Sequence, residues 1–169
     1  GYGEAAGAHC PAGGNKAVTE RDYVALLQEA LNRLDDAERW LRRSYRLCEG
    51  MEVEGSLEEE DFDRLETLTS RFARVSDMLL QKVFRSIDQL ELEGGGTLLD
   101  ALHRAEKRGL IDSVDQFRLI RELRNEIAHE YALDELRPLF KSVLEQTPVL
   151  FSMIDKVKAY CSKYTEESP

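Results

Sequence analysis

From Val18 onward, apolar residues recur at intervals of three and four, and that period leaves the chain little choice but helix. Tyr23, Leu26, Leu27, Leu31, Leu34, Trp40, Leu41 and Cys48 make the first such series. Thr19, with Asp22 three residues on, reads as its N-terminal cap, and Gly50 stops it. Ser56-Leu57-Glu58-Glu59 reads as a capping box opening a second, long helix, about residues 57–92. Phe62, Leu65, Leu68, Phe72, Val75, Leu79, Val83, Ile87 and Leu90 mark its stripe. At about 1.5 Å per residue it would span roughly 50 Å.

Gly94-Gly95-Gly96 ends that helix. Thr97 with Asp100 opens a short third helix, closed by Gly109. Ser113 with Gln116 opens a fourth, expected to end near Tyr131. A fifth follows from about Asp134; Pro138 is tolerable in its first turn, whereas Pro148 predicts a kink or a break. No alternating strand segment and no internal repeat is visible. The expected fold is therefore all-α, an antiparallel four- to five-helix bundle forming one domain over residues 18–165. Residues 1–17 are Gly- and Ala-rich and unpatterned, which predicts a disordered leader or cloning remnant; residues 166–169 predict a disordered tail.

Composition narrows the function. The 169 residues are 42% hydrophobic and 33% charged, with a net charge of −10. Broad electrostatic attraction to a phosphate backbone is excluded, so any nucleic-acid role must rest on a local positive patch. No run approaches the roughly 18–20 apolar residues of a membrane span, and the N-terminus lacks the pattern of a signal peptide. Cys10, Cys48 and Cys161 are odd in number, far apart and form no CxxC pair, which argues against a disulfide framework or a zinc knuckle. The expected location is cytoplasmic, without membrane association.

The polar load concentrates in RELRNEIAHEY, Arg121 to Tyr131, which carries Arg124, Asn125, His129 and Tyr131. On a helical wheel of about 100° per residue, Phe117, Ile120, Leu123 and Ile127 share a core-facing arc. Asn125 and His129 stack on the opposite face, while Arg124 lies roughly 140° from His129 around the axis. A straight helix therefore does not bring Arg124 and His129 to one small ligand. Either the helix frays before His129, or two copies meet across a two-fold axis so that each His faces an Arg. The plain alternative is a solvated face, with Glu126 and Glu130 pairing to Arg residues one turn away.

RNEIAHEY resembles the signature of the HEPN superfamily, Arg-x4–6-His with Asn directly after the Arg. It is most similar to the HepT-like branch, whose pattern is Arg-x4-His-x-Tyr. The resemblance implies a helical bundle acting as a homodimer and a metal-independent endoribonuclease, with no cofactor. His129 would move the proton of an RNA 2′-hydroxyl or protonate the leaving oxygen. Arg124 would neutralise charge on the transition state, and Asn125 would hold the phosphate or the His. These residue types suit the task, since an imidazole exchanges protons near neutral pH and a guanidinium forks onto phosphate oxygens. The expected products are a 2′,3′-cyclic phosphate and a 5′-hydroxyl. The resemblance further implies a two-gene toxin–antitoxin system, with a small nucleotidyltransferase as antitoxin that attaches AMP to Tyr131. Some relatives are non-catalytic, so a helical binding subunit for such a nucleotidyltransferase or its nucleotide is the second reading, and a plain dimeric scaffold the third.

Other features have blander readings. Arg39, Arg42, Arg43 and Arg46 in RWLRRSYR, and Arg104, Lys107, Arg108, Arg118 and Arg121 near the motif, are either local basic patches or ion-pair partners for the 33 acids. EGGGT lacks a phosphate-loop continuation and reads as a turn. LEEEDFD complements a helix dipole. His103 is expected on the surface, and Cys48 and Cys161 as small buried hydrophobes. Trp40, Phe62, Phe72, Phe84, Phe117, Phe140 and Phe151 sit at helical spacings and are expected in the core.

Overall fold

In the computed structural model, which describes residues 17–129 and 132–165, the caps read from the sequence largely set where helices begin. The order is α1 (Glu20–Cys48), α2 (Glu59–Met78), a π turn (Leu79–Val83), α3 (Phe84–Leu90), α4 (Leu98–Lys107), α5 (Val114–Ile127) and α6 (Leu133–Thr165). There is no strand among the described residues. Thr19 caps α1, its backbone N–H donating to Asp22 Oδ2 at 2.9 Å and its Oγ1 accepting from the Asp22 N–H at 3.3 Å. Thr97 and Asp100 repeat that box at α4, and Ser113 Oγ accepts from the Gln116 N–H at 3.0 Å to start α5. Gly50 and Gly109 leave α1 and α4 at φ +83° and +77°, a region that costs a side-chain-bearing residue energy.

α2, the π turn and α3 run end to end as one rod, since the junction residues Leu79, Val83 and Phe84 keep helical backbone angles. α1 lies antiparallel to the rod. Arg71 reaches the Trp40 carbonyl and Ser44, while Leu26 and Ala30 border one cleft with Ser86 and Lys82. α6 runs antiparallel to α1, with Lys158 on Glu38 and Phe151 edge-on to Tyr45. α5 runs antiparallel to the rod: Phe117 packs on Phe84, and Arg124 meets Asp77. One hydrophobic cluster threads all of these helices, with Leu34, Leu41, Leu68, Phe72, Ile120, Val143 and Ile154 fully shielded. Cys48 and Cys161 belong to it, and burial pushes both thiols up to about 11. The all-helical expectation therefore holds, with most of the core where the periodicity placed it; Leu26 of the first series is instead 48% exposed. Of the leader expected over residues 1–17, residues 1–16 lie outside the described residues, as does the tail expected over 166–169.

Several expectations are corrected. The second helix starts later, at Glu59: Glu58 is its N-cap, donating its backbone N–H to Asp61 Oδ2 at 3.0 Å, because Asp61 is placed to return the bond and Ser56 is not. The rod is not plain α-helix. From Val75 to Ile87 its stripe steps by fours, which would carry an α-helical row about 120° around the axis. The wider π turn takes up that drift, and Val75, Leu79, Val83 and Ile87 all stay at 0% exposure. The fourth helix stops at Ile127, short of Tyr131. Pro148 does not break α6, although it removes the donor for the Leu144 carbonyl. Buried Val143, Leu150, Phe151 and Ile154 hold that stretch in the core, and Thr147 Oγ1 donates to the Val143 carbonyl at 2.6 Å. Trp40, expected in the core, is 45% exposed. Its ring stacks instead under the guanidinium groups of Arg39 and Arg71, at 5.4 and 5.1 Å.

Candidate functional site

Arg124 stands in the last turn of α5. Because α5 runs against the rod, that turn comes down beside the end of α2, immediately before the π turn. There Asp77 receives two parallel hydrogen bonds from Arg124, Nε to Oδ1 at 2.7 Å and Nη2 to Oδ2 at 2.8 Å. Arg121, one turn earlier, adds Nη1 to Oδ1 at 3.4 Å. This is the planar fork that guanidinium and carboxylate make best. The bonds to Asp77 hold the Arg124 guanidinium above its ordinary value, against the smaller opposing effect of burial. The group is permanently charged, and the Asp77 fork uses its Nε and Nη2, leaving the Nη1 edge.

The pair is not sealed in. The side chains of Arg124 and Asp77 are 26% and 27% exposed. They floor a groove of about 400 Å³ whose walls include Ser70, Arg74, Gln81 and Lys82. Gln81 and Lys82 belong to the π turn, which is what swings these two polar side chains outward while Leu79 and Leu80 stay buried. π turns inside α-helices are frequent at functional sites for this reason.

The other predicted residues are placed differently. Asn125 is exposed on the outward side of α5, as the wheel requires. His129 is exposed too, but it has left the helix: the N–H groups of Ala128 and His129 bond back to the Asn125 and Glu126 carbonyls at 3.2 and 3.1 Å, closing the last turn tightly. Of the two ways to free His129 from the wheel, the early helix end is therefore present within a single chain. Asn125 and His129 are not among the residues lining the Arg124 groove. Tyr131 lies outside the described residues. Asp77 was not legible in advance. Its partner is 47 positions away, and nothing in RVSDMLL distinguishes it from any polar residue on a helix.

The candidate basic patches divide. Arg42 is tied to Glu38 at 3.1 Å and lies over the Phe151 ring at 4.1 Å. Arg104 and Arg108 converge on Asp88, and Arg108 also bonds Glu91 at 2.8 Å. The Arg42–Glu38 pair lies within α1, whereas the Arg104 and Arg108 pairs tie the end of α4 to the rod. Lys107, Arg118 and His103 are exposed. Among the described residues no group of three or more His, Cys, Asp and Glu side chains is placed to hold a metal ion, and no helix is long and apolar enough to cross a membrane. Compared with protein-family models, curated proteins and solved structures, the chain matches none.

Proposed function

We propose that this chain is a HEPN-type endoribonuclease of a toxin–antitoxin pair, working as two copies. The observation that carries the reading is the fork on Asp77. It aims a permanently charged guanidinium at a solvent-open groove, three residues before α5 ends and five before an exposed His129. A structural arginine needs no such groove, whereas a phosphate-binding one does.

In the proposed reaction an RNA 2′-hydroxyl gives its proton to one imidazole, and its oxygen bonds to the adjacent phosphorus. The bond from phosphorus to the 5′-oxygen breaks, and that oxygen takes a proton from a second imidazole. Two copies supply the two imidazoles as His129 of each chain. Arg124, held by Asp77 on one edge, stabilises the crowded phosphate oxygens with its other edge. Asn125, on the outward face, would hold the phosphate or the partner's imidazole. Leu119 of α5, 57% exposed, adds an apolar contact suited to meeting a second copy of the helix. The partner proposed for the pair is a small nucleotidyltransferase, with Tyr131 as the residue it would modify.

The test uses purified full chain and a mixed RNA substrate in EDTA. The expected outcome is cleavage leaving 2′,3′-cyclic phosphate ends, abolished in His129→Ala and cut by a factor of about 10²–10³ in Arg124→Ala. A pair mixed from these two variants keeps only one His129 and should stay inactive, whereas recovery of activity would show that one imidazole and the other copy's Arg124 suffice. An absence of cleavage by the wild type would overturn the enzyme reading and leave the chain as a binding subunit.

A further inference from the structure

Three large apolar side chains that the fold leaves about half exposed, Leu26, Trp40 and Leu47, lie on α1. With Arg33 they follow one another at steps of seven residues, and each such step turns only about 20° around a helix. They therefore form one row, roughly 32 Å long, on the exposed side of α1. Glu29, Asp36 and Arg43 make a second row about 60° beside it. The helix already buries its opposite side, where Leu27, Leu34, Leu41 and Cys48 are fully shielded. Packing of the single chain does not call for a second apolar row.

The charges on this face are ordered to fit a reversed copy of it. In the second row the acids Glu29 and Asp36 come first and Arg43 last. Arg39, Arg43 and Arg46, the part of RWLRRSYR that the fold leaves unused, are exposed, and none makes an ion pair among the described residues. A two-fold axis across the helix beside Asp36 and Ala37 sets Leu26 level with the partner's Leu47, Arg33 with the partner's Trp40 and Glu29 with the partner's Arg43. Apolar meets apolar, the indole lies along an arginine stem and acid meets base, each twice by symmetry. A cleft of about 340 Å³ between α1 and the rod, bordered by Leu26, Ala30 and Met78, would seat the incoming leucine. Arg33 is bonded to Glu29 at 2.7 Å, but both side chains are more than half exposed, and so weak a pair can exchange partners. Like charges meet at the axis, Asp36 against its own copy, with Arg33 and Arg39 about one turn to either side.

We infer that this face of α1 is an interface between two antiparallel copies of the chain. A polyanion laid along it would meet Glu29 and Asp36 in its path, whereas a second copy answers Glu29 with Arg43 and surrounds Asp36 with arginines. The inference stands apart from the ribonuclease reading, and its face is not the α5 contact proposed there. With both contacts formed, the assembly exceeds two copies.

The experiment is disulfide trapping in the full chain carrying Cys10→Ser, with Cys48 and Cys161 buried. Leu26→Cys and Leu47→Cys are introduced singly and together. The two positions lie roughly 32 Å apart along one helix, far beyond the reach of a disulfide, so they can join only between copies. Mild oxidation of the double variant is expected to give a covalent pair, linked 26 to 47 by peptide mapping, at about five times the yield of either single variant or more. Arg43→Glu added to the double variant should cut that yield about fivefold, and Glu29→Arg added with it should restore the yield. Circular dichroism melting of each variant confirms the fold. No covalent pair from the double variant overturns the inference. Single variants that cross-link equally well overturn it too, as does a charge swap that fails to restore the yield. Cross-linking in a chain that cuts no RNA strikes only the ribonuclease reading, and RNA cleavage without cross-linking strikes only this one.

Discussion

Two carboxylates on the same rod, Asp77 and Asp88, flank the π turn, and each is gripped by two arginines from the helices packed beside it. Asp77 takes Arg121 and Arg124 from α5; Asp88 takes Arg104 and Arg108 from α4 and its end. The chemistry is the same and the surroundings are not. At Asp88 the side chains of the acid and of Arg108 are 7% and 8% exposed, and Glu91, Tyr160 and Tyr164 close the cluster. At Asp77 acid and arginine stay about a quarter exposed and face a groove. A sealed ion cluster fixes how helices meet. An open one keeps a charge oriented while leaving part of it for something else. Burial, not residue type, separates the two roles.

The comparison is broken or sharpened by removing one member at a time. The largest effect is expected for Asp88→Ala, which takes from the buried Arg108 one of its carboxylates and from Arg104 its acid, and should cost about 3 kcal/mol in urea unfolding. A cost below about 1 kcal/mol would put Asp88 in the same class as an exposed pair.

Glu91→Gln comes next, at about 2 kcal/mol near neutral pH, from weakened bonds to Arg108, Tyr160 and Tyr164. Burial raises the Glu91 carboxyl, but the bonds from Tyr160, Tyr164 and Arg108 outweigh it and hold it below its ordinary 4.5. A depressed carboxyl stabilises the fold fully above its unfolded value and loses that contribution as pH falls through the folded one. The gap in melting temperature between wild type and Glu91→Gln should therefore be full above pH 4.5 and shrink below it. A gap independent of pH would deny the carboxylate its role.

At the open site, Asp77→Ala should cost no more than about 1 kcal/mol of stability. RNA cleavage should fall about tenfold or more, because Arg124 loses the fork that aims it. A melting loss as large as that of Asp88→Ala would show both clusters to be structural.

The smallest effect concerns the turn beside the sealed cluster. Leu92, 86% exposed, sits at φ 59° while the Glu93 N–H bonds back to the Asp88 carbonyl at 2.8 Å. That is a helix ending in which glycine is the relaxed choice. Leu92→Gly should stabilise by about 0.5–1 kcal/mol in the same unfolding assay, and a loss instead would assign the leucine a contact of its own.

Much of this molecule was legible from the chain alone. Thr19, Thr97 and Ser113 announce helix starts because a cap acts on amides two or three residues away. The buried stripes follow because a helix presents the same face every three to four residues. The same local logic failed where packing outweighed it, at Trp40 and at the end of α5, and at Pro148 the helix continues unbroken. The motif RNEIAHEY was visible as residue types, but the wheel treated His129 as helical, and only the early stop at Ile127 releases it.

What sequence alone determined was the all-helical class, the face each helix buries and most of the caps, since those depend on neighbours within a turn. Tertiary structure alone decided that Asp77 would aim Arg124, that Asp88 would be sealed, and that the rod would take a π turn between them. Those outcomes join residues tens of positions apart, and whether a charge meets a partner, water or both is settled only when the helices have packed.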